Sequence, residues 1–500
     1  MMDILANLWL GLGVSVEPMN LVYCFLGALI GTLIGVLPGL GPTATVALLL
    51  PITFYLPPVG ALIMLAGIFY GAQYGGSTTA ILVKLPGESS SVMTCLDGNA
   101  MARQGRGGVA LATAALSSLF AGCVTTLVIA LAGPPLAGMA LAFGPSEYVA
   151  LMLVGLIGAV TLAHGSVVKA VAMILVGLLL SMVGTDVNSG QMRFTFDIPQ
   201  LYDGLDFVPL AMGLFGLADI IINLEETEGR GIDPSPVHRL WPSLQDFKDA
   251  WPAAVRGTAL GALLGILPGG GATLSAFSSY ALEKKVARDP SAFGKGAIQG
   301  VAGPEAANNA GAQASFIPML SLGIPSNAVM ALMVGAMMIH GITPGPQIMT
   351  KQPDLFWGMI ASMLVGNVML VVLNLPLIGL WVRLLRVPYA YLFPAILVFC
   401  CIGTYSLKND VFDVLLMAGF GMFGYVLKKL DCEPAPLLLG FVLGPLLEEN
   451  LSRAMLLSQG DLTVFVTRPI SAGLLAVAAG LLALILLPAF RRQREVAFKE

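Results

Sequence analysis

Charge is what this chain has least of. Asp, Glu, Lys and Arg make up 11% of its 500 residues, whereas a soluble domain carries roughly 25%. Between Pro18 and Val83 there is no Asp, Glu, Lys, Arg or His, and similar gaps run from Gly107 to Ser146, Gly257 to Leu282, Gly358 to Val382 and Pro469 to Phe490. About 20 such residues cross a bilayer, so each gap predicts at least one span. With 57% hydrophobic residues and a mean hydropathy of +0.86, a soluble globular fold is excluded.

Other absences narrow the function. The net charge of −4 is spread over short loops with no basic face, which argues against nucleic acid as a partner. The three histidines, His164, His238 and His340, are scattered and form no HExxH, and no GxSxG occurs, so a membrane protease or hydrolase lacks its motif. Cys24, Cys95, Cys123, Cys400, Cys401 and Cys432 show no CxxC spacing and read as packing residues, with no cofactor expected. The N-terminus, MMDILANLWLGLGVSVEP, has Asp3 early and no basic segment. It does not look like a cleaved signal peptide, and the first span is expected to stay.

What is present is a series of fifteen apolar segments, from residues 20–37 to 469–490, several cut short by Gly and Pro. They predict an all-α integral membrane protein of about 10 to 12 complete spans plus re-entrant or broken helices. The polar stretch Glu225 to Trp251, containing EETEGRGIDPSPVHR, divides the chain into a membrane half at 1–224, a connecting loop at 225–252 and a second half with a C-terminal tail at 253–500. A second polar loop runs from Glu283 to Lys295. Basic residues at Arg103, Arg106, Arg383, Arg386, Lys428, Lys429 and the terminal RRQREVAFK favour a cytoplasmic C-terminus.

The halves share a motif. GTLIGVLPGLGPT at 31–43 aligns without a gap on GALLGILPGGGAT at 261–273, with eight identities in thirteen. Downstream, the GAQ at Gly71 to Gln73 recurs at Gly311 to Gln313, and Leu85-Pro86 recurs as Ile324-Pro325 at a spacing different by one residue. Duplicated hydrophobic segments interrupted by Gly and Pro are a pointer to a transporter binding site. A helix broken at Pro38-Gly39 or Pro268-Gly269 leaves free N–H groups suited to carboxylates and free carbonyls suited to Na⁺. The plainer alternative is a pair of packing kinks.

Polar residues follow each break. Gln73, Ser77, Thr78 and Thr79 lie in an apolar helix, where some hydroxyls bond only the preceding turn. Next comes Pro86-Gly87-Glu88-Ser89-Ser90-Ser91, a turn able to cap a helix or line a carboxylate site. Lys84 is placed either to neutralise an anion or to snorkel to the interface. In the second half, Glu305, Asn308 and Asn309 cluster where a stretch of 45 residues, Ala306 to Thr350, without Asp, Glu, Lys or Arg begins. Polar groups at membrane depth are expensive and so suspect as functional, the alternative being helix capping or helix–helix bonding.

At GVLPGLGPT, PGESSSVMTCLDGNAMARQGR, GILPGGGAT, GPEAANNAGA and LGIPSNAVMALMVGAMMIHGITPGP the chain resembles the large membrane subunit of the tripartite tricarboxylate transporters, the TctA family. The resemblance spans nearly the whole length. It implies a non-enzymatic, cation-coupled symporter for citrate or another carboxylate in a bacterial inner membrane. Its partners would be a small four-helix membrane subunit and a periplasmic solute-binding protein, and a homo-oligomer is compatible with it. It also implies inverted repeats working by an elevator-like or rocking motion. Family members usually carry Gly after LGIP; this chain has Ser326 followed by Asn327, which bears on the acid taken.

The expected substrate groups are therefore Gly39, Gly41, Thr43, Ser89, Ser90, Gly269, Gly270, Gly271, Thr273, Ser326 and Asn327. Pro38, Pro268, Asn308 and Asn309 are the expected groups for a coupling cation, Na⁺ being one candidate and H⁺ the other. An ion channel or pore-forming scaffold using the same breaks as a filter is the alternative class, and a membrane enzyme the third.

Overall fold

Apolar runs of this length leave the backbone no hydrogen-bond partner in a bilayer except itself, and the chain is accordingly helical. The computed structural model describes residues 2–37, 40–162, 166–186, 189–226, 237, 240–267, 271–385 and 389–486. The first half runs through α1 (Met2–Ser15), α2 (Pro18–Gly35), α3 (Pro42–Thr53), α4 (Pro58–Val83), α5 (Val92–Met101), α6 (Gly107–Ala140), α7 (Pro145–Leu162) and α8 (Val167–Ser181). A small antiparallel hairpin follows, β1 (Gly184–Thr185) paired with β2 (Met192–Arg193). Then come α9 (Phe207–Ala211), α10 (Ala218–Glu226), α11 (Leu244–Gly265), α12 (Gly271–Val286), α13 (Gln299–Ala314), α14 (Phe316–Leu322) and α15 (Ala328–Ile339). The chain closes with α16 (Gln347–Lys351), α17 (Pro353–Asn374), α18 (Ile378–Leu384), α19 (Tyr389–Lys408), α20 (Val411–Lys429), α21 (Pro434–Leu457), α22 (Val464–Thr467) and α23 (Pro469–Leu486).

The protein is an all-α integral membrane protein. Among the described residues, six helical segments are long and apolar enough to cross a bilayer unaided, and seven shorter apolar helices accompany them. Gly and Pro mark several helix ends: α2 runs from Pro18 to Gly35, α3 starts at Pro42, and α14 is capped by Gly323. Large apolar side chains such as Leu131, Leu179, Val372 and Phe399 are exposed on the outer faces, as lipid contact requires. The centre holds Tyr70, Phe316, Phe356 and Trp357, all almost fully buried.

Two helix pairs pack unusually closely, and for the same reason. Gly27, Gly31 and Gly35 of α2 recur every four residues and so share one face. A Cβ on any of them would lie 2.3 Å from the carbonyl oxygen of Met64, Ile68 or Ala72 on α4. On α11, Gly257, Gly261 and Gly265 meet Gly303, Ala307 and Gly311 of α13, where a Cβ would fall 2.2 to 2.4 Å from the carbonyls. Small residues at this spacing let backbones approach where no hydrophobic effect drives helices together. Each seam leads straight into one of the Pro-Gly breaks. The seams thereby hold the helix that precedes each break against the helix that carries the polar cluster after it.

Candidate substrate site at four helix breaks

Four interruptions converge. In the first pair, α3 begins at Pro42 behind the extended cap residue Gly41, and Thr45 Oγ1 donates to the Gly41 carbonyl at 2.9 Å. In the other half α12 begins at Gly271, held at φ +40°, and Ser275 Oγ donates to the Gly271 carbonyl at 2.6 Å. In the second pair, α4 ends on left-handed Lys84 (φ 60°), followed by Leu85-Pro86 and then by Glu88 in an extended conformation. α14 ends on left-handed Gly323 (φ 76°), followed by Ile324-Pro325 and extended Asn327, whose Oδ1 accepts from Met330 N at 3.0 Å. A residue before proline is pushed away from helical angles, and the left-handed cap has already turned the chain, so both helices are capped two residues before the proline.

These ends surround a cavity of about 500 Å³, within the size range of small-molecule sites. Of the groups expected from sequence, Gly41, Thr43, Ser89, Ser90, Gly271, Thr273 and Asn327 line it. The halves meet across it, with Ser89 Oγ 2.9 Å from Thr273 Oγ1. The first N–H groups of a helix have no partner within it. Thr43 and Ala44 therefore present N–H groups of α3 to the cavity, and Ala328 and Val329 present those of α15. Such termini favour anions through free donors and the helix dipole.

Of the charged lining, sequence reasoning reached Glu88 through its turn and missed Asp219, Lys428 and Glu433. Glu88, Asp219 and Glu433 reach the cavity, with Lys428 as the basic residue, and Lys428 forms an ion pair with Asp219. Lys428 was legible only as a topology signal, because its pairing spans 209 residues. Glu88 accepts from Asn308 Nδ2 at 3.2 Å, while the Asn308 Oδ1 and the Gln73 Oε1 are buried without a donor. A carboxylate and two amide oxygens next to an anion site form a set of hard ligands suited to a small cation.

The remaining expected residues separate. Asn309, adjacent to Asn308, turns away and donates to the Ser118 carbonyl at 3.1 Å. Ser326 is buried but lies outside the cavity lining, its hydroxyl 3.5 Å from the Ser315 carbonyl. Pro38, Gly39, Pro268, Gly269 and Gly270 fall outside the described residues, as do residues 227–236 of the connecting loop, His164, His238, Arg386 and the C-terminal tail.

Comparison with known proteins agrees with this architecture. Residues 21–439 match the model of the tripartite tricarboxylate transporter TctA family. Over its full length the chain is 58% identical to an uncharacterised 52.8 kDa protein in the TAR-I ttuC' 3' region of Agrobacterium vitis, covering all of both chains. A second Agrobacterium vitis protein, uncharacterised and in the TAR-II ttuC' 3' region, is 60% identical over 240 residues, which is 48% of this chain and 99% of that protein. No solved structure matches. On the extent of the family match and of the full-length relative, the chain belongs to the tripartite tricarboxylate transporter TctA family.

Proposed function

We propose that this tricarboxylate transporter subunit carries citrate or a related di- or tricarboxylate across a bacterial inner membrane, driven by a Na⁺ or H⁺ gradient. On this reading it receives substrate from a periplasmic binding protein, works beside a small four-helix membrane subunit, and alternates access through an elevator-like motion of two homologous halves. The observation that carries the proposal is the convergence of helix starts and hydroxyls from both halves on one cavity, with Ser89 and Thr273 in contact across it.

The chemistry follows from the lining. Free N–H groups at Thr43, Ala44, Ala328 and Val329, with the hydroxyls of Ser89, Ser90 and Thr273, supply neutral donors for carboxylate oxygens. Neutral donors hold an anion without trapping it as an arginine cluster would, which suits a carrier that must release its load. Three carboxylates against one ammonium line the cavity, so a polyanion entering alone meets like charge. Co-entry of cations removes that repulsion, which is the electrostatic case for coupling.

The test is uptake of labelled citrate and other di- and tricarboxylates into liposomes containing the large and small subunits, with and without the binding protein, under imposed Na⁺ or pH gradients. Gradient-driven accumulation and counterflow are expected. Failure of every carboxylate to accumulate under either gradient sinks the reading, and fast flux without counterflow indicates a channel. Asn308→Ala and Gly269→Leu are expected to abolish uptake while the protein remains inserted.

A further inference from the structure

One deeply buried carboxylate lies outside the substrate cavity, away from any basic side chain among the described residues. Glu305, on α13, is 3% exposed. Its Oε2 accepts from Ser77 Oγ at 2.8 Å and its Oε1 from Thr94 Oγ1 at 2.5 Å. A small cavity of about 20 Å³ adjoins it, between α4, α6, α13 and the end of α17. Tyr74, Ser77, Thr78, Ser118, Glu305 and Asn374 bring oxygen to its lining, and apolar side chains of α6 and of the segment after α17 complete it. No Lys, Arg or His is among the described residues that line it. Asn374 is 4% exposed; its Nδ2 donates to the Leu370 carbonyl at 2.9 Å and its Oδ1 has no donor.

A carboxylate with no basic residue beside it and an orphaned amide oxygen line one small space, an unbalanced arrangement whenever the carboxylate is ionised. Burying a carboxylate without a counter-charge is costly, and a buried acceptor without a donor adds to that cost. One positive particle balances both. Water needs roughly 10 to 15 Å³ of such volume, so this space holds a single particle of about that size. All-oxygen ligands suit a hard cation rather than a transition metal, and one carboxylate sets the charge at one. We propose that Glu305, Asn374, Ser77 and neighbouring hydroxyls form a site for one dehydrated Na⁺. On the transport reading, on which only its physiological role rests, this is the coupling ion.

The site can be tested without any carboxylate. The full-length protein in nanodiscs is heated while its fluorescence is followed, with NaCl exchanged for choline chloride or KCl at constant ionic strength. A saturable rise of the unfolding midpoint with Na⁺, absent with K⁺, is expected, because a ligand bound only by the folded state stabilises it. Glu305→Gln keeps the shape and removes the charge, and should weaken the apparent Na⁺ affinity on the order of a hundredfold or more. Asn374→Ala removes one neutral ligand and should weaken it about tenfold. If Glu305→Gln does not fold, Asn374→Ala and Ser77→Ala carry the test. The site is overturned by a wild-type midpoint indifferent to Na⁺, by stabilisation that follows acid alone, which would place a proton on Glu305, or by full Na⁺ response in the folded variants. A Na⁺ response in a protein that accumulates no carboxylate overturns the transport reading and leaves the site standing; carboxylate uptake without a Na⁺ response does the reverse.

Discussion

Gly261→Ala adds one methyl group to the seam between α11 and α13. Its Cβ would stand 2.4 Å from the Ala307 carbonyl oxygen, 2.8 Å from the Ala310 Cβ and 2.9 Å from the Ala307 Cα. Ordinary contact begins near 3.4 Å, so the shortfall is about 1 Å, and none of the three atoms can rotate away. The helices must separate by about that amount, with an overpacking cost of roughly 1 to 3 kcal/mol. That cost outweighs the roughly 1 kcal/mol by which alanine favours a helix over glycine. Gly419→Ala on α20, where nothing lies within 4 Å of the added Cβ, isolates the propensity term. Thermal midpoints in nanodiscs should therefore fall for Gly261→Ala and hold or rise for Gly419→Ala. Because α13 carries both Asn308 and Glu305, the same 1 Å shift should cut carboxylate uptake at least tenfold. A Gly261→Ala protein with wild-type midpoint and uptake would refute the account of the seam.

Three further outcomes are expected. Thr273→Val and Ser89→Ala each remove the 2.9 Å hydroxyl contact across the cavity; each should lower the uptake kcat/KM about five- to tenfold, from roughly 1 kcal/mol per hydrogen bond, and the double variant should be little worse than either single one. Asn327→Ala strips the cap of α15 and should cost about 1 kcal/mol, measured by chemical denaturation, while Asn327→Asp keeps most of that stability. Asp97 accepts from the N–H groups of Gly294, Gly296 and Ala297 and from the Tyr280 hydroxyl, so Asp97→Ala leaves four donors behind; limited proteolysis should then cleave near 287–297 much faster than in the wild type, with an unchanged rate speaking against this clamp.

Much of this architecture can be read in one dimension. Charge-free runs predict the helices, and the paired Pro-Gly motifs mark where helix starts line the cavity. The GxxxGxxxG spacing at Gly27 to Gly35 and at Gly257 to Gly265 was equally visible, but glycine in an apolar run reads first as a breaker, and only the partner backbone reveals it as a contact. The downstream alignment also illustrates the limit. Matching GAQ to GAQ sets Gly71 against Gly311, yet Gly35 packs on Ala72 where Gly265 packs on Gly311. That register is one residue off, and it is the one that pairs Lys84 with Gly323 and Glu88 with Asn327. Identity of short strings misled where helix caps did not. Asn308 and Asn309, neighbours in sequence, diverge because successive helical residues point about 100° apart, sending one to Glu88 and the other to the Ser118 carbonyl.

The corrected register also makes sense of the charges. At equivalent caps the first half carries Glu88 and the second carries neutral Asn327, both extended and both at the cavity. Asparagine caps its own helix, because Oδ1 takes the Met330 N–H. Glu88 instead has a carboxylate oxygen engaged by Asn308 from the other half. One cap is closed by its own half alone, whereas the other has a local capping box with Ser91 and a further donor, Asn308, from the opposite half. Any relative movement of the halves that parts Asn308 from Glu88 takes one donor away from a carboxylate beside the substrate cavity, a cost that a bound cation would offset. On the proposed transport reading, this contact is where a cation additional to the one at Glu305 and a movement of the halves would be coupled. Glu88→Gln tests this in its simplest form: with the charge gone, carboxylate exchange should persist while its dependence on the cation gradient weakens, and exchange that keeps full cation dependence would separate the two.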